Sequence, residues 1–69
     1  MNINVIGKNI RAERRKQDLS QENLGKLSNL SKNTICAIEN GNQIPNAVNI
    51  YLIAKALNVD VNSFYTGIE

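Results

Sequence analysis

Residues 19–41 read LSQENLGKLSNLSKNTICAIENG, and the fold is decided here. Ser20 is placed to cap a helix, with Asn23 where a capping-box glutamate would stand, and Leu24 and Leu27 fall on one side of the helix that follows. The pattern predicts about two turns of helix. Ser28-Asn29-Leu30-Ser31 then interrupts it, because asparagine tolerates the left-handed conformation a helix end requires and Ser31 can cap a new start. A second helix begins at Lys32. Ile35 and Ile38, three apart, turn inward, which leaves Lys32, Asn33, Cys36 and Ala37 toward solvent or a partner. Asn40-Gly41 closes it.

Two short helices about a tight turn, over residues 20–40, have the geometry of a helix-turn-helix. From Ile6 to Tyr65 the chain also resembles the phage-repressor-like, or Cro/Xre-type, DNA-binding domains. The resemblance rests on Leu19-Ser20-Gln21, Ile35, Ile38-Glu39-Asn40-Gly41 and Pro45, in that order and at the right spacing. It implies an all-α fold, a compact five-helix bundle in which residues 1–69 form a single domain.

The composition agrees with one small globule. Sixty-nine residues, 42% hydrophobic, suit a single domain, and a core of this size contributes roughly 3–5 kcal/mol of net stability. With no histidine and one cysteine, an internal disulfide is impossible and a Cys/His zinc site is excluded; no metal or cofactor is expected. No apolar run approaches the roughly 20 residues of a membrane span and no signal peptide is visible, so the chain is expected in the cytoplasm. The net charge is only +2, but residues 8–32 hold seven cations against three carboxylates, +4, while the remainder carries −2. A basic front and a mildly acidic back suit a protein that presents one face to a polyanion.

The first helix is expected from Ile6 to Gln17, with Ile6, Ile10 and the stem of Arg14 along one face. The resemblance implies that Arg14 pairs with Glu39. A bidentate fork between the two would lock the first helix to the third, where two isolated buried charges would be costly. The chain departs from its relatives at four places. Glu13 replaces an aliphatic residue, Asp18 and Asn29 replace glycines, and Gly25 replaces the usual alanine at a cost of roughly 1 kcal/mol in helix propensity.

Beyond Gly41, Asn42-Gln43-Ile44-Pro45 reads as a loop, and Asn46 caps a fourth helix reaching Leu57. Ala47, Ile50, Ile53, Ala54 and Leu57 recur at helical spacing as its core face, with Val48, Tyr51 and Leu52 off that stripe. Asn58 suits the helix end, Asp60 caps a last short helix, and Val61 with Phe64 closes the base of the core.

A helix that meets the major groove with its N-terminus carries its first residues to the base edges. Lys32 can donate to guanine, Asn33 can pair with adenine, and Ala37 can touch a thymine methyl. The resemblance makes these the base-reading positions, with Thr34 and Cys36 as flanking contacts, and gives Gln21 a phosphate contact that Asn42 and Gln43 supplement from the loop. Lys8, Arg11 and Lys26 are further cations able to reach the backbone.

These readings predict a sequence-specific DNA-binding transcriptional regulator, a repressor that binds double-stranded DNA at a palindromic operator. One domain contacts one half-site, so a homodimer is expected, with Leu52, Asn58, Val59, Asp60, Tyr65 and Ile68 as its interface. No convergent catalytic set exists, which argues against an enzyme. The competing class is a protein-interaction module, such as an antitoxin-like partner of a toxin, for which Val48, Tyr51 and Leu52 would be the contact residues.

Overall fold

The computed structural model describes residues 4–67, and the expected helices form there in the expected order. They are α1 (Asn4–Lys16), α2 (Gln21–Ser28), α3 (Lys32–Glu39), α4 (Ala47–Leu57) and a terminal 3-10 helix (Val61–Tyr65). The fifth helix is thus a 3-10 helix, and α1 begins two residues before the expected Ile6.

Local chemistry sets nearly every boundary. Ser20, Ser31 and Asn46 sit in extended backbone, and each side chain accepts the N–H of the residue three further on. Asp60, also in extended backbone, accepts the N–H of Asn62, two residues on. The four α-helices end by one device. Asp18, Asn29, Gly41 and Asn58 adopt positive φ (55°, 61°, 80° and 57°), and the next N–H reaches back to a carbonyl five residues earlier. Leu19 N–H bonds Arg14 O at 3.2 Å, Leu30 N–H bonds Gly25 O at 2.9 Å, Asn42 N–H bonds Ala37 O at 2.9 Å and Val59 N–H bonds Ala54 O at 3.0 Å. This explains why Asp18 and Asn29 stand where the related domains carry glycine: both sites need the left-handed conformation, which Asp and Asn reach more readily than other side chains.

The core comprises Ile10, Leu24, Ile35, Ile38, Ile50, Ile53, Ala54, Leu57 and Phe64, with Ile6, Leu19, Leu30, Ala56 and Val59 packed around it. Three expected positions fall elsewhere. Ala47 is exposed because it is the first residue of α4, and the buried stripe starts only at Ile50. Leu27 is 59% exposed: α2 buries Leu24, Gly25 and Ser28, and that inward side leaves Leu27 on the flank at about 100° per residue. Val61 stays at the rim, 36% exposed, and Phe64 alone closes the base.

Two glycines set the helix spacings. A methyl group on Gly7 of α1 would collide with the Ile38 carbonyl of α3, and one on Gly25 would lie 2.7 Å from the Leu30 carbonyl across the turn. α1 and α3 therefore cross backbone to backbone. At the opposite side, Asn9 Nδ2 donates to Phe64 O and Thr66 O, both at 2.9 Å, and Gln17 Nε2 donates to Leu57 O at 2.7 Å. These side chains satisfy carbonyls at the ends of α4 and the 3-10 helix that have no intrahelical partner.

Candidate nucleic-acid interface

With Ile35 and Ile38 fixed in the core, the opposite side of α3 must face outward. Lys32 and Asn33 are exposed at the helix start, while Thr34, Cys36 and Ala37 are half-buried. Ser31 Oγ accepts Thr34 N–H at 3.1 Å and lies 2.9 Å from Thr34 Oγ1, so the threonine hydroxyl helps to close the cap. Cys36 Sγ accepts Asn40 Nδ2 at 3.3 Å. Of the five expected contact residues, the outermost are Lys32 and Asn33.

The other end of α3 is held by charge. Glu39 is 3% exposed. Arg14 grips it with a fork, Nε to Oε2 at 2.7 Å and Nη2 to Oε1 at 2.9 Å, and its remaining Nη1 donates to Leu19 O at 2.7 Å. One guanidinium thus ties α1 to the end of α3 and to the segment that leads into α2. The expected pair is present, and it has two further members. Arg11 Nε lies 3.4 Å from Glu39 Oε1, and its Nη2 reaches Glu39 O at 3.2 Å and Asn40 Oδ1 at 2.8 Å. Gln21 Nε2 donates to Glu39 Oε1 at 3.2 Å.

Burial by itself would push the Glu39 carboxyl up; the hydrogen bonds from Arg14 and Gln21, the charge of Arg14 and the bond from Arg11 outweigh it and hold the group below the usual carboxylate range. The Arg14 guanidinium is correspondingly raised, first by its hydrogen bond to Glu39, against the opposing effect of burial. Among the described residues no buried side-chain nitrogen or oxygen lacks a partner.

Asn42 and Gln43 are exposed, and both backbone N–H groups converge on Ala37 O, at 2.9 and 3.2 Å. The loop is therefore folded against the end of α3 with its polar side chains outward. Of the expected interface residues, Asn58, Asp60 and Tyr65 are exposed, and Leu52 and Val59 are half-buried. Val59 packs against the core, and Asn58 and Asp60 also serve as helix caps. Ile68 lies outside the described residues.

A sequence model described as helix-turn-helix matches residues 10–64. The chain belongs to the Cro/Xre-type helix-turn-helix family. Among solved structures, it is similar to the restriction-modification controller protein C.AhdI from Aeromonas hydrophila, at 31% identity and a TM-score of 0.87 over 90% of this chain and 94% of that one. It is likewise similar to the DNA-binding domain of the P22 c2 repressor in solution, at 33% identity and a TM-score of 0.87 over 97% and 88% of the two chains. The crystal structure of the P22 c2 repressor with a synthetic operator matches at 32% identity and a TM-score of 0.82, over 90% and 94%. No curated protein matches the chain significantly by sequence.

This helix-turn-helix domain has the fold of DNA-binding regulators, which are not enzymes. Among its described residues no cluster of Cys, Asp and Glu could hold a metal ion, and no helix is long and apolar enough to cross a membrane. The shallow depression beside α2, lined by Leu19, Asn23, Lys26 and Leu27, presents a single charged group.

Four contributors escape the sequence reading: Gly7, Arg11, Asn40 and the inward bond of Gln21. A glycine inside an otherwise amphipathic helix was the signal for the first. Arg11 lies three residues before Arg14, so one helix face carries both guanidiniums to the same carboxylate.

Proposed function

We propose that the domain is a sequence-specific transcriptional repressor that inserts the start of α3 into the major groove of a palindromic operator, as a homodimer acting in the cytoplasm. One observation carries the reading: Lys32 and Asn33 stand exposed on the first turn of a helix whose far end is clamped by buried charge. A helix held in this way presents its first side chains at a set angle, as base readout requires. In this reading Lys32, Asn33 and Ala37 read bases, Thr34 and Cys36 flank them, and Gln21, Asn42 and Gln43 hold phosphates. Leu52, Asn58, Val59, Asp60 and Tyr65 form the two-fold contact.

The test is selection of bound sequences from random duplex DNA, followed by titration of the winner at several salt concentrations. A two-fold symmetric site with salt-sensitive affinity is expected, and Asn33→Ala should cost roughly 1–3 kcal/mol there and relax the preference at one base pair. No enriched sequence, with retention on DNA indifferent to salt, would instead favour a protein-interaction module working through Val48, Tyr51 and Leu52.

A further inference from the structure

The Arg14–Glu39 fork already joins α1 to α3 and already engages both carboxylate oxygens. The bond from Gln21 is therefore surplus to the lock. It also restrains a long side chain that would otherwise sample many rotamers at the first position of α2. A carboxylate only accepts, so the NH2 end of the Gln21 amide must point toward Glu39. One of its two N–H groups is spent there, and the other remains available on a side chain carried by the first residue of α2, a helix start whose N–H groups without intrahelical partners favour an anion.

A carboxylate under a phosphate site would ordinarily repel the phosphate. Here two guanidiniums face one carboxylate, Arg14 at 2.7 and 2.9 Å and Arg11 at 3.4 Å, which leaves the cluster with an excess positive charge. Arg11 is the member that tips the balance, and its side chain remains 32% exposed.

We propose that Glu39, neutralised by Arg14 and Arg11, is a positioning residue for DNA: it fixes the Gln21 amide so that its second N–H is aimed at a backbone phosphate before DNA arrives. This rests on the phosphate role assigned to Gln21 above. The same carboxylate thereby sets both the end of the reading helix and a clamp on the backbone, so the register of one is tied to the other.

Nuclear magnetic relaxation of the free wild-type protein supplies the first test. The Gln21 side-chain NH2 should be as rigid as ordered backbone, an order parameter near 0.85, with the exposed Gln43 side chain below about 0.6. A Gln21 amide as mobile as that of Gln43 would overturn the proposal without any DNA measurement. The second test is a double-mutant cycle of Gln21→Ala and Glu39→Gln, with affinity for random-sequence duplex DNA corrected for the folded fraction. Glu39→Gln lets either end of the Gln21 amide face inward, and alone it should lower affinity roughly 3- to 10-fold by removing the preorganisation of one side chain. In the Gln21→Ala background that loss should disappear, and the removed negative charge can then only raise affinity. Additive losses would show that Glu39 acts on DNA only through the fold, and would overturn the positioning role. Gln21→Ala with unchanged affinity would instead sink the phosphate reading beneath it, whatever the relaxation data show.

Discussion

Where α1 meets the end of α3, the contact is made by charge and bare backbone; where α1 meets α4 and the 3-10 helix, it is made by hydrocarbon and two amide clamps. The first junction holds Gly7, Arg11, Arg14, Gln21 and Glu39, and the second Ile10, Ile53, Leu57 and Phe64 with Asn9 and Gln17. Hydrocarbon fills volume and accepts many arrangements of similar size. A guanidinium–carboxylate fork is satisfied in one plane and one direction. The difference matches what each junction must deliver, because α3 has to be held at an angle, whereas α4 and the base only have to exclude water.

The largest effects should come from opening either junction. Glu39→Ala leaves two guanidiniums without their carboxylate, and Phe64→Ala empties the base of the core; each should cost roughly 3–5 kcal/mol, enough to unfold much of so small a domain. The two should differ in how they are rescued. Adding Arg14→Ala to Glu39→Ala should restore part of the loss, since it removes a stranded charge, whereas no second truncation should restore Phe64→Ala. Urea melts of Glu39→Ala, Arg14→Ala, the double variant and Phe64→Ala would settle it, and strictly additive losses for the charged pair would erase the contrast between the junctions.

Gly7→Ala probes the same crossing without touching a charge. Its methyl group would meet the Ile38 carbonyl, which is backbone and cannot rotate away. A loss of roughly 1–3 kcal/mol is expected despite the better helix propensity of alanine. Because α1 and α3 must separate, DNA affinity measured on fully folded protein should also fall. A stabilised variant would mean that the crossing is looser than its geometry.

Acid should weaken only the charged junction. The Glu39 carboxyl is depressed in the folded chain, so its contribution is complete above the unfolded value of about 4.3 and is lost as the pH falls through the folded one. The raised Arg14 guanidinium would lose its share only in strong alkali. The gap in urea midpoint between wild type and Glu39→Gln should thus be constant above about pH 6 and shrink progressively below about pH 4. A gap that persists unchanged into acid would show that ionisation of Glu39 does not support the fold.

How much of this was legible followed from how local its cause is. Ser20, Ser31, Asn46 and Asp60 cap as read because capping involves three or four consecutive residues. Leu24, Ile35, Ile38, Ile53 and Phe64 are buried as their spacing implied. Leu27 was misplaced because two leucines three apart do not say which flank of a helix a neighbour covers; the close approach at Gly25 decides that. Arg14–Glu39 followed from resemblance, but Arg11 and the inward turn of Gln21 depend on the angle between α1 and α3, which no single helix encodes. The exposure of Lys32 and Asn33 was readable as the complement of Ile35 and Ile38.

The smallest expected effect lies within the motif itself, at Gly25, and sets helix propensity against packing. Alanine there should gain roughly 1 kcal/mol of propensity, and alanine is what the related domains carry. In this chain the added methyl group would sit 2.7 Å from the Leu30 carbonyl and 3.4 Å from the Lys32 nitrogen. The same turn is closed by Leu30 N–H on Gly25 O at 2.9 Å, so the carbonyl cannot retreat without moving residues 29–31, and with them the start of α3. Overpacking of this kind costs roughly 1–3 kcal/mol, so Gly25→Ala should be net destabilising by less than about 2 kcal/mol. Its mark on DNA binding should be clearer than its mark on melting, because the displaced element carries Lys32 and Asn33. A gain in stability of about 1 kcal/mol with unchanged operator affinity would show that the turn yields freely, and that the precise placement of α3 is set at its charged end alone.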